Sequence, residues 1–427
     1  MALAVLFISF ILLMFLGMPI AFVMGLSSLI TIIYLGLPPL VIFQRMSSSM
    51  NVFALMAIPF FIYAGELMLR GAIAERLIRL AAALVGHTRG GLGLVNVMSS
   101  TLFGGISGSA VADASAVGGL MIPQMTKRGY DVDYAVNVTV MSAIIALLIP
   151  PSHNMIIYSI SAGGSISIAD LFTAGILPGI LLALALMITA YIVALRRGYP
   201  AEKFPGFAAL GRIFIVSVPG LLLVAVIIGG VRSGVFTATE SSMIATIYAL
   251  LVTLLVYRSL SWKDFVHATL GAVRTTALVL LVIGTAGAFG WLMALLQVPA
   301  VTIEFMRHFS NNSLVIFLMI NVLLLFLGTF MDMAPLIIIS TPIFLPVVKA
   351  YGMDPVHFGI IMILNQGIGL ITPPVGSVLF VGCAIGKISI MQSMRTIWPF
   401  FLVSLIVLAI ITYVPEVSLF LPRVLGK

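Results

Sequence analysis

Charge is what this sequence lacks most. Asp, Glu, Lys and Arg make up 8% of its 427 residues, against about 25% in ordinary soluble domains. A chain so poor in charge cannot cover a core in water. Cysteine is scarcer still. Cys383 stands alone, which excludes an intramolecular disulfide and any cysteine-based metal site or cluster. Neither HExxH nor GxSxG occurs and the 5 histidines are scattered, so nothing supports an intramembrane enzyme. What is present is apolar: residues of the AVILMFWYC set make up 62%. The runs are long and continuous, without the alternation of a barrel, and define an all-α polytopic membrane protein. Lys+Arg number 21 against Asp+Glu 13. That excess belongs to cytoplasmic loops rather than to nucleic-acid binding. The most basic connection, 196–212 with Arg196, Arg197, Lys203 and Arg212, is placed in the cytoplasm. No basic n-region opens the chain and no charge precedes Arg45, so the first segment is expected to remain as membrane helix.

A crossing needs about 20 helical residues. Spans fit 51–69, 134–149, 171–195, 213–231, 237–257, 275–296 and 396–415. Residues 1–44 hold one helix or two, with Gly17-Met18-Pro19 as the break. Residues 72–89, punctuated by Glu75, Arg76, Arg79 and Arg89, read as an interfacial amphipathic helix. Two regions are not simple spans. In 90–126 a polar centre, Gly104 to Asp113, divides two apolar arms. Arms of about 14–16 residues reach roughly 21–24 Å, short of a crossing. A re-entrant helical hairpin fits better. Residues 313–348 repeat the pattern around Gly328 to Pro335, with Pro335 suited to the first turn of the returning arm. Behind each hairpin lies a proline pair, Pro150-Pro151 and Pro373-Pro374. Each pair removes backbone donors, breaks its helix and leaves carbonyls free.

These features superimpose at one shift. Leu102, Phe103 and Gly105 fall on Leu325, Phe326 and Gly328. Pro123 falls on Pro346, Gly129 on Gly352, Asp131 on Asp354, Pro150-Pro151 on Pro373-Pro374 and Gly163 on Gly386. Five expected spans separate the hairpins, an odd number, so the second copy is inverted. Inverted repeats whose broken helices meet near the midplane are a secondary-transporter architecture.

Several stretches, in this order, resemble the large membrane subunit of tripartite ATP-independent periplasmic (TRAP) transporters, the DctM type. They are Ala57-Ile58-Pro59-Phe60-Phe61, Phe103 to Asp113, Lys127 to Asp131, Pro150-Pro151-Ser152, Gly234 to Glu240 and Leu370 to Gly376. The resemblance covers about residues 10 to 415. It implies an inverted-repeat elevator-type fold, with a scaffold held against the lipid bilayer and a transport domain carrying two re-entrant helical hairpins. Mapped on this chain, 1–89 supplies scaffold helices and the first arm helix, and 90–168 the first transport half. Residues 169–312 supply scaffold helices and the second arm, 313–390 the second transport half, and 391–427 a C-terminal helix. It also implies sodium coupling, a small membrane subunit (DctQ-type), a periplasmic substrate-binding protein (DctP-type), a bacterial inner-membrane location and import of an organic acid anion. That anion could be a C4-dicarboxylate, a sugar acid or sialic acid. Two positions depart from the pattern: Ala146, where glycine is common, and His153, where an apolar residue is common.

Sodium is a hard cation that takes oxygen ligands. The resemblance places one ion between Ser107, Ser109, Ala146, Ile149 and Pro151. The repeat places a second among Gly328, Phe330, Asp332, Gly369, Thr372 and Pro374, with mostly main-chain ligands at both. An anionic substrate is expected at the half-helix N-termini beyond the tips. Ser107, Gly108, Ser109, Asp113, Ser152, His153, Asn154, Asp332, Asn365, Gly376 and Ser377 are its candidate contacts. His153 is expected to cap a broken helix. Among acids in apolar runs, Glu240 is expected in a helix-capping arrangement with Thr237, and Glu66 in a pair with Arg70. An ion channel, or a sodium/organic-anion symporter outside the TRAP family, is the competing reading.

Overall fold

The computed structural model describes residues 1–425, apart from the side chains of Ile106, Ser107 and Arg307. It is helical throughout, and no strand occurs among the described residues. The N-terminal run divides into two helices, Ala2–Phe15 and Ile20–Tyr34. Gly17, at φ +77°, turns the chain between them, just before Pro19. Helix Leu40–Met50 follows and packs on the long helix Trp262–Leu295. Only the apolar second part of that long helix was expected as a span. Its first turns carry Lys263, Asp264 and His267, and Ser261 caps its start. Further along, the Tyr63 hydroxyl meets Thr269 Oγ1 at 2.9 Å and ties the long helix to Ala57–Arg70. Ala57–Arg70 also packs on Ala238–Leu251, where Thr246 Oγ1 donates to the Phe60 carbonyl at 2.8 Å. These helices pack on one another.

The hairpins form as the pattern requires. Gly91–Ser107 turns back into Ala110–Lys127, and Ser313–Gly328 into Met333–Ala350. Pro335 lies in the first turn of its arm. The first broken helix runs Val132–Leu148 and His153–Ser161, bent by 51°. The second runs Pro355–Gly369 and Ser377–Gly386. Each is entered the same way: Gly129 and Gly352 turn at φ +84° and +81°, and Asp131 and Asp354 stand at the N-cap positions. The halves interlock. His153–Ser161 packs on the second hairpin's returning arm, and Ser377–Gly386 packs on the first's. Ser377–Gly386 also packs closely on the first broken helix: a Cβ on Gly382 would lie 2.2 Å from the Val140 side chain.

The arm helices Ile73–Val85 and Val298–Phe309 precede the hairpins. The first buries Ile73, Ala74, Leu77, Ile78 and Ala81 and leaves Glu75 and Arg79 exposed, the expected amphipathic division. Helix Ile168–Arg197 has 30 residues, about 45 Å at 1.5 Å each. At its C-terminal end Arg197 pairs with Asp131 at 2.9 Å and Asp133 at 3.0 Å, beside the base of the first hairpin. Near its N-terminal end a Cβ on Gly359 would approach Leu171, one turn into the helix that leaves the second hairpin. The hairpins therefore enter from opposite ends of the molecule. A second bent pair, Trp398–Tyr413 and Glu416–Leu425, closes the described chain. Its last helix has polar ends and follows Pro415, so it carries no span signal of its own.

Candidate functional site

Each hairpin tip is laced to the break behind it by main-chain geometry. Gly108 turns the first tip at φ +58°. A Cβ there would lie 2.8 Å from the Pro151 carbonyl oxygen, so tip and break touch backbone to backbone. Asn154 Nδ2 donates to the Gly108 carbonyl at 3.4 Å. At the second tip the Val375 amide donates to the Thr329 carbonyl at 3.0 Å, and a Cβ on Gly369 would lie 2.7 Å from the Gly328 Cα. The first repeat makes the same approach one residue earlier: a Cβ on Gly104 would lie 2.6 Å from the Ala146 Cα. Ala146 is thus accommodated by a glycine opposite it.

The returning arms begin at equivalent residues, Ser109 and Asp332, both at N-cap positions. Ser109 Oγ accepts from the Ala112 amide at 3.4 Å, which satisfies one of the arm's orphan donors. Asp332 makes no side-chain cap bond; the Ser377 hydroxyl stands beside its carboxylate.

Between the tips lies a cavity of about 500 Å³. Ser109, His153, Asn154 and Asp332 line it, with Leu147 and Leu370, the residues three positions before each proline pair. Its far wall comes from helices Ala57–Arg70 and Trp262–Leu295: Glu66, Thr275, Leu278 and Val279. A larger cavity, about 670 Å³, opens near Gly163, Gly164 and Phe236. It touches neither tip and no charged side chain lines it, so the smaller one is the candidate site.

The candidates expected from sequence divide accordingly. Gly108, Ser152, Asn365, Gly376, Ser377 and Asp113 stand outside the cavity lining. Asn365 donates to the Asn321 carbonyl and side chain at 2.9 and 2.7 Å, a tie between hairpin and broken helix. Asp113 is fully buried inside the first hairpin, with the Ser100 hydroxyl beside it. His153 does not cap its helix. Ser152 holds that position and His153 is the first helical residue, because the break ends one residue earlier than the histidine. The Ser107 side chain lies outside the described residues. Glu240 and Thr237 form a capping box, and Glu66 meets Arg70 at 3.4 Å as expected. Glu66 also faces the cavity, and the sequence pattern did not mark this far wall. Thr275 and Leu278 sit in an ordinary apolar run without a signal. Leu147 and Leu370 did have one, since the repeat relates them.

The oxygen sets for cations are partly free. Pro150 and Pro151 remove the donors that Ala146 and Leu147 carbonyls would meet four residues on. In the second repeat the Gly369 carbonyl accepts from Thr372 N at 2.9 Å and the Thr372 carbonyl from Gly376 N at 3.3 Å. Each keeps a second lone pair. Among the described residues no cluster of His, Cys, Asp and Glu could hold a metal.

A cavity bounded by two oppositely entering hairpin tips and a wall from helices Ala57–Arg70 and Trp262–Leu295 is the arrangement of a membrane transporter. The chain belongs to the family of the tripartite ATP-independent periplasmic transporter, DctM component, whose model matches residues 7–417. It is a transporter permease and not an enzyme. It is 48% identical over 422 residues to the uncharacterized protein YgiK of Salmonella typhimurium, covering 98% of this chain and 96% of that one. It is 39% identical over 424 residues to the sialic acid TRAP transporter large permease protein SiaM of Vibrio cholerae, covering 96% of each. Its fold is similar to the crystal structure of the Alcanivorax borkumensis YdaH transporter, with a TM-score of 0.62, 12% identity and 87% of each chain covered.

Proposed function

We propose that this chain is the large permease subunit of a sodium-coupled importer of an organic acid anion in the bacterial inner membrane. It works with a small membrane subunit and a periplasmic substrate-binding protein. The observation that carries this reading is the cavity between Ser109 and Asp332, walled on one side by the hairpins and broken helices and on the other by helices Ala57–Arg70 and Trp262–Leu295. A carboxylate there meets the start of helix Ala110–Lys127 and the first turn of helix His153–Ser161, the positive ends of two helix dipoles. The relative named for sialic acid supports a carboxylate as cargo.

Sodium enters the reading as co-transported cargo. One ion is held by Ser107, Ser109, Ala146, Ile149 and Pro151. The other is held by Gly328, Phe330, Asp332, Gly369, Thr372 and Pro374. The support is chemical: carbonyls deprived of donors by proline suit a hard cation better than any other partner at that depth. Because these ligands belong to the tips and breaks, a bound ion closes each tip onto its break and prepares the anion's seat. The interlocked hairpins then move as one body against the scaffold, an elevator motion.

Reconstituted uptake tests this. With the small subunit, the binding protein and its acid ligand present, uptake should require a sodium gradient and rise more steeply than first order in sodium. Equal uptake in potassium overturns the coupling. Vigorous uptake by this chain alone overturns the partner requirement.

A further inference from the structure

Away from the cavity, a second concave site lies where the first arm helix meets the span Phe207–Arg232. It has a volume of about 290 Å³ and is lined by Ala72, Glu75, Arg76, Arg79, Arg212 and neighbouring residues of the span. Three guanidinium groups from two elements face one carboxylate, and that carboxylate is engaged: Glu75 pairs with Arg79 at 2.5 Å. Arg212 makes no ion pair among the described residues. Arg76 is held in place. Its guanidinium stacks 3.7 Å over the Tyr257 ring and donates to the Ala72 carbonyl at 3.0 Å. Ser217 ties the two elements by donating to the Arg76 carbonyl at 3.2 Å. Like charges brought together across a cleft repel unless an anion lies between them.

The surroundings say which anion. The site lies at the end of the molecule that holds Arg196, Arg197 and Lys203, because the arm joins that loop through a bridge between Arg89 and Ala201. Beside it the span turns apolar side chains outward: Phe214 is 50% exposed, Ile215 71% and Leu222 48%. That span is the least covered of the candidate crossings, with 22% of its apolar window buried. A basic pocket beside a lipid-facing apolar strip matches both ends of a phospholipid, and guanidinium forks bind phosphate oxygens two at a time.

We propose that Arg76, Arg79 and Arg212 bind the phosphate of an anionic membrane phospholipid, whose acyl chain lies along Ile215 and Leu222. The lipid bridges the arm helix to the span. Since the arm leads directly into the first hairpin through 86–90, the lipid fixes the point against which that hairpin is carried.

The test uses the full chain in nanodiscs of phosphatidylethanolamine and phosphatidylglycerol, released into mild detergent for native mass spectrometry. The wild-type protein should retain phosphatidylglycerol over phosphatidylethanolamine by about fivefold or more. Arg79→Gln with Arg212→Gln should lose that preference. Arg196→Gln with Lys203→Gln, equal in lost charge and at the same end, should keep it. Should the first pair misfold, Arg212→Gln alone gives the same reading, since its side chain holds no ion pair. Undiminished retention in the pocket variants overturns the proposal, and so does equal loss in the control. Millimolar inorganic phosphate that displaces the lipid as well as a second lipid does would mark a site for free phosphate and overturn the lipid assignment.

Discussion

The two hairpins follow one plan and fill it differently. Inside the first and on the broken helix behind it, Asn96, Ser99, Ser100, Asp113, Thr139 and Ser142 are all fully buried. Asn96 donates to Thr139 Oγ1 at 2.6 Å, and the Ser100 and Ser142 hydroxyls meet at 3.1 Å. The repeat-related residues of the second are Met319, Val322, Leu323, Leu336, Met362 and Asn365, five of them apolar. The second buries polar groups at other places, Asn321, Ser340, Thr341 and Gln366, so a hairpin of this shape forms without an acid at the position of Asp113. What both share is the backbone plan: glycines at the tip, a proline pair behind it, and a return that starts from an N-cap residue. The polar set of the first hairpin includes a fully buried acid, Asp113, and a buried polar group without full hydrogen bonding costs stability.

The largest test strikes the shared plan. Gly369→Leu would force a side chain into the Gly328 backbone. It should cost about 1–3 kcal/mol of stability and abolish uptake. Ala146→Leu should do the same in the first repeat. Thermal unfolding and proteoliposome uptake of both variants check this, and loss at only one position would break the equivalence of the tips.

The second test strikes the difference. Asp113→Asn keeps the shape and removes the acid. Uptake should fall by about tenfold while the melting temperature holds or rises, since a functional membrane acid is kept at a cost to stability. Full uptake with a raised melting temperature would reduce the polar interior to packing.

The smallest effect is expected from exchanging the caps. Ser109→Asp and Asp332→Ser each leave an N-cap residue of a favoured type, so stability should change by less than about 1 kcal/mol. The sodium dependence of uptake should nevertheless weaken for Asp332→Ser, which removes a carboxylate from the cavity. Unchanged sodium dependence would detach Asp332 from the cation set.

Much of this was legible in the residues. Proline pairs and glycine tips act locally, through missing donors and permitted turns, so the hairpins, the breaks and the odd count of spans between them follow from sequence. The capping box at Thr237 and Glu240 is local too, and it formed as expected. Asp113 is a different case. Its spacing from the tip suggested a cavity contact, yet one helical turn beyond Ser109 it faces Ser100 inside the hairpin. Helical phase decided that, and no neighbour in sequence marks it. The same holds for Asn365, which meets Asn321 rather than the cavity.

By itself the sequence determined the solvent, the helices and the duplication. Apolar length, missing backbone donors and recurrence at one shift are properties of the chain alone. Only the tertiary structure decided which residues share a cavity. Ser109 and Asp332 are 223 positions apart, and Glu66 and Thr275 reach the same space from two further helices. Their meeting depends on how two inverted copies interlock and on where helices Ala57–Arg70 and Trp262–Leu295 stand against them, and no local pattern encodes that packing.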